Sequence, residues 1–147
     1  MAEDQLAFFS AQLLFWLLVA PEGHGKNFSI FLGSGGRFML TPLYDIISAY
    51  PVLGSGKGQI HRQRLTMAMA VQGHVAWEKI LPRHFVEMGK VLGVDMIATM
   101  ENLARQIPEA IEHVGKELSP DFPQSVAQPT FEGLLAQGKR LEDVIGS

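Results

Sequence analysis

Residues 6–20, LAFFSAQLLFWLLVA, form an almost unbroken apolar run. A helix that is apolar all round has no face to give to water, so it must lie inside whatever the chain folds into. A membrane span is the competing reading. The run has 15 residues, whereas crossing a bilayer takes roughly 20, and it carries Ser10 and Gln12. Glu3 and Asp4 precede it, unlike the basic start of a signal peptide. Those two acids instead suit the positive end of a helix dipole. Pro21 disfavours helical backbone at the residue before it and closes the element. The expectation is a buried central helix over residues 3–19, with no membrane partner.

The remaining sequence supplies the elements that surround such a helix. The chain has 147 residues, of which 47% are apolar and 18% charged, enough for one domain with one sizeable core. No linker composition divides it, so 1–147 is read as a single domain. Residues 28–32 and 37–41 are short β-like runs joined by Gly33-Ser34-Gly35-Gly36, the pattern of a hairpin. Residues 42–49 read as a turn entering a short helix, and 51–58 as a Gly-punctuated loop. Residues 61–72 suit strand by alternation and helix by their Met and Ala content, until Gly73 breaks them. From Trp77 onward the periodicity is helical. One helix spans 82–92, ending at Gly93. The next is capped by Asp95, another begins at Pro108, and a last one covers 124–145 with Pro129 interrupting or delaying it. The fold class is mainly α with a small β-hairpin.

Composition closes several routes. The absence of cysteine removes disulfides, thiolate catalysis and Cys-based zinc sites, and fits a reducing cytoplasm. A net charge of −3 gives no footprint for nucleic acid, although it leaves a local DNA contact open. His61, His74, His84 and His113 have no metal-ligand spacing, and Ser10, Ser29 and Ser48 lie in no GxSxG elbow. Gly54 to Gly58 fails as a Walker A loop, because Pro51 and Gly58 stand where Gly and Ser or Thr are needed. Lys57, His61, Arg62 and Arg64 form a small basic group. It reads as a solvated loop or as a contact for a nucleotide, nucleic acid or acidic partner.

The polar residues concentrate in 21–45, PEGHGKNFSIFLGSGGRFMLTPLYD. Glu22 and Asn27 are five residues apart on a Gly-containing loop, and Asp45 follows 18 residues later, beyond the hairpin. A carboxylate base, a side-chain amide and a second carboxylate are the parts of a protein-kinase catalytic loop and metal site. The same residues also serve as ordinary turn and cap residues. Lys26 could meet a phosphate as a point charge or simply face solvent. His24 could orient the loop through its two ring nitrogens.

The stretches AQLLFWLLVAPEGHGKNFSIFL and LTPLYDIISAYPVLG resemble the HipA family of serine/threonine kinase toxins, which carry a DGHAKNFS-type catalytic loop and an LTPxYDxxS segment. The resemblance continues through LTMAMAVQG, ILPRHF and IPEAIEHV and covers most of the chain. It implies the C-terminal lobe of a protein-kinase-like fold. It assigns Asn27 and Asp45 to magnesium and, with His24, to ATP. It gives Glu22 and Lys26 catalytic positions. Glu22 replaces the family's aspartate, and its extra methylene would move the base by roughly 1 Å, enough to cost about 100-fold in rate. Gly25 replaces an alanine.

The resemblance further implies phosphoryl transfer from ATP to a protein Ser or Thr within a type II toxin–antitoxin module. It implies a HipB-like DNA-binding antitoxin as partner, and an aminoacyl-tRNA synthetase as the kind of substrate. Nothing in the sequence matches the family's N-terminal lobe, which supplies the nucleotide-covering loop. The expectation is therefore activity only with an N-lobe from a separate chain. The alternative is a catalytically inactive, truncated or pseudokinase-like module that binds an antitoxin or another protein.

Overall fold

The computed structural model describes residues 2–146. Helix α1 (Ala2–Leu18) runs through the core, with Leu13, Trp16 and Leu17 fully buried. Strands β1 (Ile30–Leu32) and β2 (Phe38–Leu40) form an antiparallel hairpin, pairing Ile30 with Leu40 and Leu32 with Phe38. A second hairpin joins β3 (Thr66–Val71) to β4 (His74–Ala76). Four helices complete the body: α2 (Pro82–Leu92), α3 (Met96–Glu117), α4 (Gln124–Lys139) and the short α5 (Glu142–Ile145). Phe85, Met96, Met100 and Leu141 bring α2, α3 and the α4–α5 junction onto the same core as α1.

The end of α1 is held by a Schellman arrangement. Ala20 N–H donates to Phe15 O at 2.8 Å and Val19 N–H to Trp16 O at 3.3 Å. Val19 sits in the left-handed region, with φ of 49°. Glycine normally takes this position, and a β-branched residue there is strained by about 1–3 kcal/mol. Complete burial of the valine side chain offsets a similar amount.

Several expectations change, and one left open is resolved. Residues 42–49 form no helix. Pro42 and the left-handed Asp45 (φ 58°) oppose one, and the segment instead bonds to the end of α1, with Ala49 N–H donating to Val19 O at 2.7 Å. Residues 66–71 resolve to strand, and β4 was not foreseen. Gln72 and Gly73 both have positive φ, 49° and 76°, the backbone of a tight hairpin turn. Helix α3 continues through Pro108 and α4 through Pro129. A proline inside a helix loses a hydrogen bond to the carbonyl four residues back. Ile107 before Pro108 and Ala127 before Pro129 are buried, and Ile111 and Leu134 beyond the prolines pack against the core, which favours the continuous path. The last helix does end early, at Lys139, with α5 following after a turn.

Tyr50 donates its hydroxyl to Leu17 O at 2.7 Å in a buried position. Burial pushes the phenol well above its usual range, against the lowering pull of Arg62 and Arg140. It therefore remains a donor throughout the physiological range. A Tyr50→Phe variant should lose about 1–2 kcal/mol of stability in urea denaturation, because the Leu17 carbonyl loses this donor.

His84 Nδ1 accepts the N–H of Leu81, the residue that caps α2, at 3.1 Å. The ring is buried and stacks on His74, with centroids 4.3 Å apart. Burial, His74 and Arg83 hold its pKa below the usual value, and Glu87 opposes them. Its stabilising contribution is therefore complete above the unfolded histidine pKa of about 6.5 and declines as pH falls below it. Between pH 7.5 and pH 5 the wild-type urea midpoint should drop more than that of His84→Gln. Glutamine at this position can still reach back to the Leu81 N–H without titrating.

Candidate functional site

The polar loop leaves α1 at Pro21 and is pressed onto that helix. Gly23 lies so close to Phe15 that a Cβ there would overlap its ring, which explains the glycine without reference to turn geometry. Phe28 packs on Phe8 and Phe15, with centroids at 4.8 and 6.0 Å. The loop is thus pinned at both ends against aromatic rings of the core helix. Between the pins runs a single 3-10 turn, Gly25–Asn27.

Asn27 is buried, and its Oδ1 accepts the backbone N–H of His24 at 2.8 Å. This is a helix cap in reverse, and it fixes the amide on the inner side of the loop. His24 Nε2 lies 3.3 Å from Glu22 Oε2, while the Glu22 side chain remains 77% exposed. Lys26 is exposed, and its carbonyl accepts from the Tyr44 hydroxyl at 3.1 Å. The same hydroxyl lies 2.9 Å from Ser29 Oγ. Asp45, the next residue after Tyr44, is exposed with left-handed backbone.

The β1–β2 hairpin thus returns the chain so that the segment carrying Asp45 is tied beside the loop carrying Asn27. Among the described residues no hydrogen bond or ion pair joins Glu22, Asn27 and Asp45 to one another. The sequence pointed to the polar residues of this site. It carried Ser29, Tyr44 and Ser48 as positions of the two family motifs but gave them no role. Tyr44 bonds to Lys26 O and lies 2.9 Å from Ser29 Oγ, and Ser48 bonds to Leu18 O, which holds the two segments in place. The available signal was their place in the LTPxYDxxS and DGHAKNFS motifs.

Asn27 and Asp45 offer an amide oxygen and a carboxylate. An all-oxygen set of this kind suits a hard cation such as magnesium. Among the described residues no group of three His, Cys, Asp or Glu side chains could hold a metal ion. A magnesium ion here would therefore complete its shell with phosphate oxygens and water, as that ion commonly does. The donor set fits a metal carried in with a nucleotide.

A cleft of about 650 Å³ lies elsewhere, between the start of α1 and the α2–α3 connection, lined by Glu3, Asp95 and Asn102 among others. It brings none of the candidate residues together, so size alone does not mark the site. The surface beside the loop is distinctive in another way. Ile30, Phe31, Leu32, Phe38 and Met39 of the hairpin are all exposed. Both faces of a two-stranded sheet are left uncovered, and contiguous apolar surface of this kind marks an interaction site.

The family model described as HipA-like C-terminal domain matches residues 1–118. Among solved structures, the chain is similar to one from the complex of toxin–antitoxin system HipA, HipB and operator DNA of Shewanella oneidensis MR-1. The TM-score is 0.75 and the sequence identity 24%, over 97% of this chain and 34% of that one. The likeness establishes the fold, and this chain spans about a third of the length of the one it matches. No helix among the described residues is long and apolar enough to cross a membrane.

Removing the Asn27 side chain should free the His24 N–H and loosen the loop. Asn27→Ala is expected to cost about 1–2 kcal/mol and to raise hydrogen exchange at residues 22–28. Asn27→Asp, which keeps the acceptor, should cost less in the same denaturation and exchange measurements.

Proposed function

From the premise that this chain belongs to the HipA-like C-terminal domain family, we propose that it is the catalytic lobe of a serine/threonine protein kinase of a toxin–antitoxin module. The observation that carries the reading is the tie between Tyr44 and Lys26. It joins the Asn27 loop to the Asp45 segment, the two halves of a kinase metal–phosphate site.

Asn27 and Asp45 would hold magnesium, which when bound neutralises charge on the phosphates of ATP. Glu22, exposed and oriented by His24, accepts the proton of the substrate hydroxyl. Lys26 presents a positive charge to the transferred group. His24 holds the loop through its backbone bond to Asn27 and its ring contact with Glu22. The exposed apolar hairpin receives an N-terminal lobe, which closes the nucleotide site and excludes water from it. A HipB-like protein is the corresponding antitoxin partner.

A second reading rests on the identity and exposure of Glu22. A longer carboxylate on an open loop suits a lobe that retains the fold and partner binding without turnover.

Calorimetry separates the two. Magnesium-dependent ATP binding is measured on the chain alone and with a HipA-type N-lobe added. The kinase reading expects binding only with the N-lobe, and its loss in Asp45→Ala. It also expects Glu22→Asp to raise the phosphorylation rate, by up to about 100-fold. Absence of nucleotide binding in both mixtures would sink the kinase reading and leave partner binding as the function.

A further inference from the structure

A polar cleft of about 430 Å³ lies between the Trp77–Lys79 turn and the end of α4. Its lining includes Arg62, Trp77, Glu78, Lys79, Gln137 and Arg140. We propose that this cleft binds a phosphate monoester dianion.

Its cations are unspent. Among the described residues Arg62, Lys79 and Arg140 make no ion pair. Three positive side chains face one carboxylate, that of Glu78. Both guanidiniums are held by aromatic rings instead of by acids. Arg62 lies over Trp77 at 5.9 Å and Arg140 over Trp16 at 5.3 Å. A guanidinium held over an aromatic face keeps its N–H donors available for an oxyanion. Arg140 is further oriented by Gln137 Oε1 at 3.3 Å. The Gln137 side chain is 95% buried, and its Nε2 donor has no partner among the described residues.

The chemistry of the ligand follows from these donors. They come from three separate walls: the 3-10 turn at Arg62–Arg64, the turn at Trp77–Lys79 and the end of α4. A tetrahedral group presents acceptor oxygens in three directions, whereas a carboxylate presents them in one plane. Charge-assisted bonds from paired guanidiniums are the usual means of recognising phosphate. One face of each indole is already covered by arginine, which leaves little platform for a nucleobase. The C-terminal end of α4 carries about half a negative charge, which three full positive charges outweigh. The site shares no residue with the Asn27–Asp45 loop and stands independently of the kinase reading.

The test is a titration of the isotopically labelled chain, followed by NMR, at constant ionic strength. The probes are inorganic phosphate, a phosphoserine peptide and the same peptide unphosphorylated. Saturable shifts are expected at the Trp77 indole N–H, the Gln137 side-chain amide and the amides of Arg62 and Arg140. Arg62→Gln and Lys79→Gln, both at exposed positions, should each weaken binding at least fivefold without changing the rest of the spectrum. Tighter binding of the phosphopeptide than of phosphate would identify a phosphorylated side chain as the source. Equal binding would identify a small free ester or phosphate. Shifts that do not saturate, that spread over all basic residues, or that survive both substitutions within twofold would overturn the proposal. So would equal binding of the unphosphorylated peptide.

Discussion

The last turn of α1 presents carbonyls that no helical residue can satisfy, and distant parts of the chain satisfy them. The Trp77 indole donates to Trp16 O at 3.0 Å, the Tyr50 hydroxyl to Leu17 O at 2.7 Å and the Ser48 hydroxyl to Leu18 O at 2.5 Å. The Ala49 backbone N–H donates to Val19 O. Each bond contributes about 1 kcal/mol net, so together they are a large part of the 5–15 kcal/mol by which a domain is stable. Their larger effect is geometric. They fix where the segment after the hairpin and the segment after β4 must run.

The candidate site inherits its geometry from that anchor. The polar loop begins two residues beyond the last of these carbonyls, and its start also receives the β3 strand through Ala68 N–H on Pro21 O at 3.1 Å. The segment carrying Tyr44 and Asp45 is held at its far end by Ser48 and Ala49. Both halves of the site therefore hang from one helix terminus. The strained backbone at Val19 and Asp45 lies at the two ends of this arrangement, where surrounding contacts hold each conformation in place.

The hairpin between the halves shows the opposite balance. Its strands pair in regular register but bury almost nothing, with Leu32 at 81% exposure. Two strands exposing apolar side chains on both faces are marginal alone. Here they are supported at their base by Thr41 N–H on Ser29 O at 2.9 Å and by Asp4 beneath Leu40. Contiguous exposed apolar surface of this kind is suited to being covered.

Local chemistry was legible from the sequence wherever one residue dominates its surroundings. The apolar run dictated a buried helix, Pro21 its end, Gly93 and Asp95 the break between α2 and α3, and the glycine cluster the first hairpin. The pattern of 21–45 pointed to the family. Tertiary structure decided what depends on packing at long range. It kept α3 and α4 continuous through proline, because core contacts before and after each proline, at Ile107 and Ile111 and at Ala127 and Leu134, outweigh one lost hydrogen bond. It made 42–49 an extended strap, because the carbonyls of α1 offered its donors better partners than a short helix would. It also gathered Arg62, Lys79 and Arg140, 78 residues from first to last, around one cleft, since spacing along the chain says nothing about which cations will share a wall.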